Sequence, residues 1–137
     1  MNILFVYFDK IIQNDNLYVK SLCEEIRRQN GSIECSIDVF WNSTRKYDIV
    51  HIQFPEVIFK WRQPSDNGLK ALRQRIARLK SMGTKIVYTR HDAIPHYCTD
   101  KNKLELYRIV ETQSNAIIHL GEYSRQEFAR IYPENTA

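Results

Sequence analysis

Two short stretches of this chain end in side chains that could do chemistry. In TKIVYTRHDAIPH, residues 84–96, an apolar run through Ile86 and Val87 breaks into Arg90-His91-Asp92, with Pro95 and a second imidazole, His96, beyond. In YDIVHIQFPE, residues 47–56, Ile49, Val50 and Ile52 give way to Gln53, Pro55 and Glu56. A strand buried inside a parallel sheet is apolar along its length, so a polar tail presents its groups at the strand's carboxyl end. In open α/β sheets ligands bind at that edge. Two such tails point to a polar site along one edge of a parallel sheet.

The elements that must position these tails alternate along the chain. Residues 2–8 read as a first strand. From Asp15 or Asn16 to about Asn30, Leu17, Leu22, Cys23 and Ile26 fall at helical spacing, and Gly31 supplies a stop. Further strands are expected at about 33–38 and 48–53. Between residues 65 and 82, Leu69, Leu72, Ile76, Leu79 and Met82 recur at steps of three and four, capped by Ser65 or Asp66 and ended by Gly83. A strand at 85–90, a helix at 101–113, a strand at 115–120 and a helix at 124–132 capped by Ser124 complete the series.

Alternation of this kind calls for a parallel sheet covered by helices. The expected fold is a Rossmann-like three-layer α/β/α sandwich of about five strands in the order 2-1-3-4-5. The link between strands two and three, residues 39–47, is short for a parallel crossover, which takes a dozen residues or more. A short turn of helix there resolves the conflict. In this order strands one and three flank the point where the winding reverses. Asp9-Lys10 and Pro55-Glu56 would then face each other across the crevice, beside His91-Asp92.

Composition sets the outer bounds. A chain of 137 residues, 43% hydrophobic and 26% charged, makes one globular domain, residues 1–137. No apolar stretch reaches the ~18–20 residues of a membrane span. The opening MNILFVYF lacks the basic flank and cleavage site of a secretory signal. Three cysteines without CxxC spacing indicate neither a disulfide framework nor a zinc site, and they fit a reducing, cytoplasmic setting. Four histidines show no metal-ligand spacing, so no metal is expected. The net charge of +4 is uneven, because residues 60–90 hold nine Lys or Arg against a single acid, Asp66. Basicity confined to one segment points to an anionic partner surface. No nucleic-acid-binding module accompanies the charge, so nucleic acid is not the expected partner. The last residues, Pro133 to Ala137, follow a helix and read as a domain boundary, where a larger protein would continue.

With these residues in place the chain resembles the amino-terminal domain of a GT-B fold glycosyltransferase, of the retaining glycosyltransferase family 4 type. The resemblance is carried by Asn16-Leu17-Tyr18 opening the first helix, by YDIVHIQFPE, and by LKSMGTKIVYTRHD with Pro95-His96. It continues in LYRIVETQSNAIIHLGEYSRQEF, residues 106–128. It implies two Rossmann-like domains facing across a cleft, with this half binding a sugar acceptor. The carboxyl-terminal domain would hold the nucleotide-sugar donor, a co-substrate, and no other cofactor is implied. The family's paired donor-binding glutamates belong to that second domain and have no counterpart here. The segment DKIIQNDN, residues 9–16, lacks the glycine-rich loop many relatives use to approach donor phosphate.

The resemblance makes His91 the expected catalytic residue, lying beside the transferred sugar and orienting it. The local logic is that an imidazole both donates to and accepts from sugar hydroxyls. Asp92 would accept from sugar hydroxyls or else cap a turn. Glu56, behind the rigid Pro55, would meet an acceptor hydroxyl or else be an exposed loop acid. Asn16 would bind ligand or cap the first helix, and His96 would line the cleft rim or be a plain loop residue. His51 and His119 lie inside strands and read as buried, hydrogen-bonded core residues. Family members that handle lipid-linked acceptors dock on membranes, which implies a peripheral site on the inner membrane face. Trp61, Arg62, Lys70, Arg73 and Arg78 would form the anionic-lipid surface, with Arg75 and Lys80 on the same polar side. The alternative function is a free-standing flavodoxin-like or Rossmann-like module that binds a nucleotide or a protein. The absence of GxGxxG and P-loop motifs weighs against it.

Overall fold

A computed structural model describes residues 1–9, 16–29, 31–92 and 100–137. Lys10, Asp15, Asn30, Pro95, His96 and Cys98, on which several sequence readings fall, lie outside the described residues. The elements run β1 (Asn2–Val6), α1 (Leu17–Arg28), β2 (Ser32–Cys35), α2 (Ile37–Asn42) and β3 (Ile49–Ile52). A 3-10 helix (Pro55–Phe59), α3 (Asp66–Ser81), β4 (Lys85–Arg90), α4 (Lys101–Gln113), β5 (Ala116–His119) and α5 (Glu122–Ile131) follow. All five strands pair in parallel in the order β2-β1-β3-β4-β5. This is the Rossmann-like α/β sandwich expected from the alternation of elements.

Register explains why the strands read as they do. Leu4, Val50 and Ile86 form one cross-strand row and Val6, Ile52 and Tyr88 another. All six are buried, on the face covered by Leu69, Leu72, Ile76 and Leu79 of α3 and by Leu106, Ile109 and Val110 of α4. Phe5 and Tyr7 point to the other face, packing with Val19 and Cys23 of α1. Between these rows Phe5, His51 and Val87 align, so His51 joins the α1 face.

The helix starts are set by short polar side chains, which accept from otherwise unpaired first-turn amides. Asn16 accepts from Val19 N at 3.2 Å, Ser65 from Gly68 N at 3.0 Å, and Asp100 from Asn102 N at 2.7 Å. Ser36 accepts from Val39 N at 3.1 Å, which ends β2 at Cys35 and starts α2. The second strand is therefore shorter than the expected 33–38, and this six-residue helix is the crossover to β3. The last helix also begins earlier than expected, with Gly121 at the cap and Ser124 inside it. The Ser124 hydroxyl is engaged elsewhere, by His119 at 2.9 Å and Arg90 at 3.1 Å.

Arg75 departs from the sequence reading more sharply. Helical spacing put it on the polar side of α3, yet it is 8% exposed. Its guanidinium donates to the carbonyl of Phe40 in the last turn of α2 and to that of Ser43 just past it, the latter at 2.9 Å. A guanidinium presents five donors in a fixed fork, so one side chain satisfies both carbonyls at the end of α2.

Candidate functional site

The carboxyl ends of β3 and β4 carry a directed hydrogen-bond chain. The Thr89 hydroxyl lies 2.9 Å from His51 Nε2 and accepts from Gln53 Nε2 at 3.1 Å. Gln53 Oε1 lies 2.5 Å from His91 Nε2. An amide oxygen only accepts, so His91 donates from Nε2 and its neutral ring presents a bare Nδ1. At the other end Gln53 Nε2, which only donates, also lies 3.3 Å from His51 Nε2, so that nitrogen accepts and the neutral His51 carries its proton on Nδ1. Burial, with a further push from His91, lowers the His51 pKa to about 4. Burial also holds His91 below its ordinary value, against the opposing pull of Asp92. Both rings are therefore neutral at neutral pH.

Aromatic rings frame His91. Its imidazole stacks on Phe54, with centroids 4.7 Å apart and planes at 19°, and meets Tyr18 edge-on at 5.5 Å. Phe54 in turn lies 6.3 Å from Trp61. Trp61 is 49% exposed and Tyr18 45%, so both offer free surface beside a half-buried imidazole. The 3-10 helix that follows β3 closes in Lys60 and Trp61, both left-handed, at φ 54° and 63°. Side-chain-bearing residues rarely adopt that region. The tight exit it creates brings Trp61 beside Phe54. The cluster thus gathers the ends of β3 and β4 and, through Tyr18, the start of the helix that follows β1.

The remaining expected site residues part company here. Asp92 follows His91 and is half-buried at the same edge. Asn16 opens α1 one residue before the Leu17–Arg28 helix, and its side-chain oxygen is engaged as the cap. Glu56 reaches the correct end of the sheet but turns inward. It is 3% exposed and accepts from the Tyr107 hydroxyl at 2.8 Å, which ties the 3-10 helix to α4. Of the basic surface, Arg62, Lys70, Arg73 and Arg78 are exposed, with Arg73 paired to Glu105. Trp61 belongs as much to the His91 cluster as to that surface. Among the described residues no group of three His, Cys, Asp or Glu is placed to hold a metal ion. Nor is any described helix long and apolar enough to cross a membrane.

Sequence reasoning assigned no role to Gln53, Thr89, Phe54 or Tyr18. The signal for the first two was available. His51 and Gln53 are two apart, as are Thr89 and His91, and a period of two puts each pair on one face of its strand.

A second polar cluster lies on the opposite face of β4. Arg90, 2% exposed, donates to Glu111 at 2.8 Å, Glu127 at 3.0 Å and Ser124 Oγ at 3.1 Å. Burial alone would lower its pKa, but Glu111 and Glu127 more than offset this. The Tyr132 hydroxyl donates to the second oxygen of Glu111 at 2.8 Å. This cluster packs α4 and α5 against the sheet.

Fold and cluster together define a Rossmann-like α/β sandwich with a polar, aromatic-framed imidazole at the carboxyl edge of its sheet. Comparison of the chain with family models, curated proteins and solved structures found no match.

Proposed function

We propose that this chain is the acceptor-binding domain of a retaining GT-B glycosyltransferase, which transfers a sugar from a nucleotide-sugar donor to a hydroxyl of a glycan or lipid-linked glycan. The observation that carries this reading is His91, tautomerically fixed by Gln53 and framed by Phe54, Tyr18 and Trp61 at the sheet's ligand edge. A sugar ring offers polarised C–H bonds on its faces and hydroxyls on its rim. The negative face of an aromatic ring suits the former, and a bare imidazole nitrogen accepts from the latter.

In this reading Nδ1 of His91 accepts from a sugar hydroxyl and aligns it, and Asp92 contributes a second acceptor. Stabilisation of the departing diphosphate falls to a carboxyl-terminal domain, so this domain alone is inactive. Arg62, Lys70 and Arg78 supply a membrane-facing surface for lipid-linked acceptors, each contributing ~1 kcal/mol on anionic lipid. The flavodoxin-like module remains the second reading because the strand order is the one that fold uses.

The test is transfer activity in the chain joined to a donor-binding domain. His91→Ala is expected to lower turnover roughly tenfold or more, through lost alignment. Wild-type turnover in that variant removes His91 from the site. Nuclear magnetic resonance titrations of the isolated domain separate the two readings. Shifts at Tyr18 and His91 with oligosaccharides support the acceptor domain. Shifts only with a nucleotide support the second reading.

A further inference from the structure

Two of the three cysteines meet between α1 and the edge strand β2. Cys23 projects from the buried face of α1 into the cluster of Phe5, Tyr7 and Val19. Cys35 ends β2 in register with Phe5, which brings it to the same face. The two sulfurs are 3.6 Å apart, although the residues stand twelve apart in sequence. Cys23 is fully buried, whereas Cys35 is half-buried and lines an open cavity of about 470 Å³. Lys20 and Arg27 on one side, and Asp9, Glu24 and Glu34 on the other, make that cavity a charged one.

We propose that Cys23 and Cys35 are a reactive dithiol that a small disulfide of the glutathione type oxidises to an intramolecular disulfide, pinning α1 to the edge strand β2. A disulfide bond is about 2.0 Å long, so the sulfurs must close by roughly 1.6 Å. The cavity admits the oxidant to Cys35 only. Cys35 Sγ attacks one sulfur of oxidised glutathione, the S–S bond breaks, and the departing glutathione takes the Cys35 proton. Cys23 Sγ then attacks Cys35 Sγ and expels the second glutathione, which takes the Cys23 proton. Two electrons pass from the two cysteines to one oxidised glutathione, giving two glutathione thiols.

Exposure, not acidity, selects Cys35 for the first attack. The contact between the sulfurs, in which either S–H could donate, lowers the Cys23 pKa, against burial and with help from Arg27. The same contact, with burial, raises that of Cys35. The attack by Cys35 is therefore the slow step and quickens as pH rises. Because α1 also carries Tyr18, the crosslink fixes the helix that supplies one wall of the His91 cluster.

The test treats the full chain with oxidised glutathione at graded ratios to its thiol. After denaturation and alkylation, the free thiols of both Cys23 and Cys35 are expected to be lost. Peptide mapping should join the Cys23 and Cys35 peptides, and Tm should rise by roughly 5–10 °C. Cys23→Ser should stop at one glutathione bound to Cys35, and Cys35→Ser should leave Cys23 unmodified. A stable mixed disulfide at Cys35 in the wild-type chain, a link from Cys23 or Cys35 to Cys98, or both of these thiols retained at every ratio overturns the proposal.

Discussion

Thr89, Arg90 and His91 are consecutive at the end of β4, yet they feed two polar clusters of opposite character. Arg90 turns to the α4 and α5 face, where two carboxylates and a serine take four bonds from its guanidinium. Thr89 and His91 turn to the α1 face, where a neutral chain of hydrogen bonds runs outward and ends on a half-buried ring. The ionic cluster closes on itself inside the molecule. The neutral one is closed to solvent at His51, 7% exposed, and open to it at the half-buried His91. Polarity at a strand's end is thus not by itself a sign of a site. What matters is whether a group has spare bonding capacity facing outward.

The largest effect that would break this comparison is on stability. Arg90→Met leaves Glu111 buried without its cation, and breaking such a pair costs about 3–5 kcal/mol. Urea unfolding measures it. A loss below about 1 kcal/mol would show that the cluster does not hold α5 in place.

Next comes the closed end of the neutral chain. The His51 pKa is lowered to about 4 in the folded protein, against 6.5 ordinarily. The unfolded chain therefore binds the extra proton between those values, and folding stability falls as pH drops from about 6.5 to 4. The full contribution is present above 6.5, and the difference amounts to about 3 kcal/mol. Unfolding free energies across that range should show a shallower slope in His51→Phe than in wild type. Identical slopes would mean that His51 is not held neutral by burial.

The smallest stability effect is the sharpest discriminator. Gln53→Leu strips partners from Thr89 and His91 and should cost about 1–3 kcal/mol. His91→Ala, at the open end, should cost about 1 kcal/mol or less while abolishing oligosaccharide-induced shifts at Tyr18. Equal destabilisation by both would reduce His91 to a structural residue.

Much of the fold could be read along the chain. The periods of α3 and α4, the capping residues Asn16 and Ser65, and the short crossover between β2 and β3 all follow from local spacing and side-chain chemistry. The candidate site was legible only in outline. The polar tails come together at the carboxyl edge of the sheet, where His91 emerges, but Glu56 does not face outward. Nothing local announces that a tyrosine 51 residues later will bond to it. Arg75 makes the same point on a helix, since its partners lie 32 and 35 residues earlier.

By itself, then, the sequence determined which segments become strands and helices and which ends turn polar, because periodicity, caps and breakers act within a few residues. Tertiary structure alone decided which polar groups are satisfied inside and which face outward with capacity to spare. It also brought together the sulfurs of Cys23 and Cys35. A hydrogen bond or ion pair forms between groups that are close in space, and only the folded sheet brings residues tens of positions apart within 3 Å.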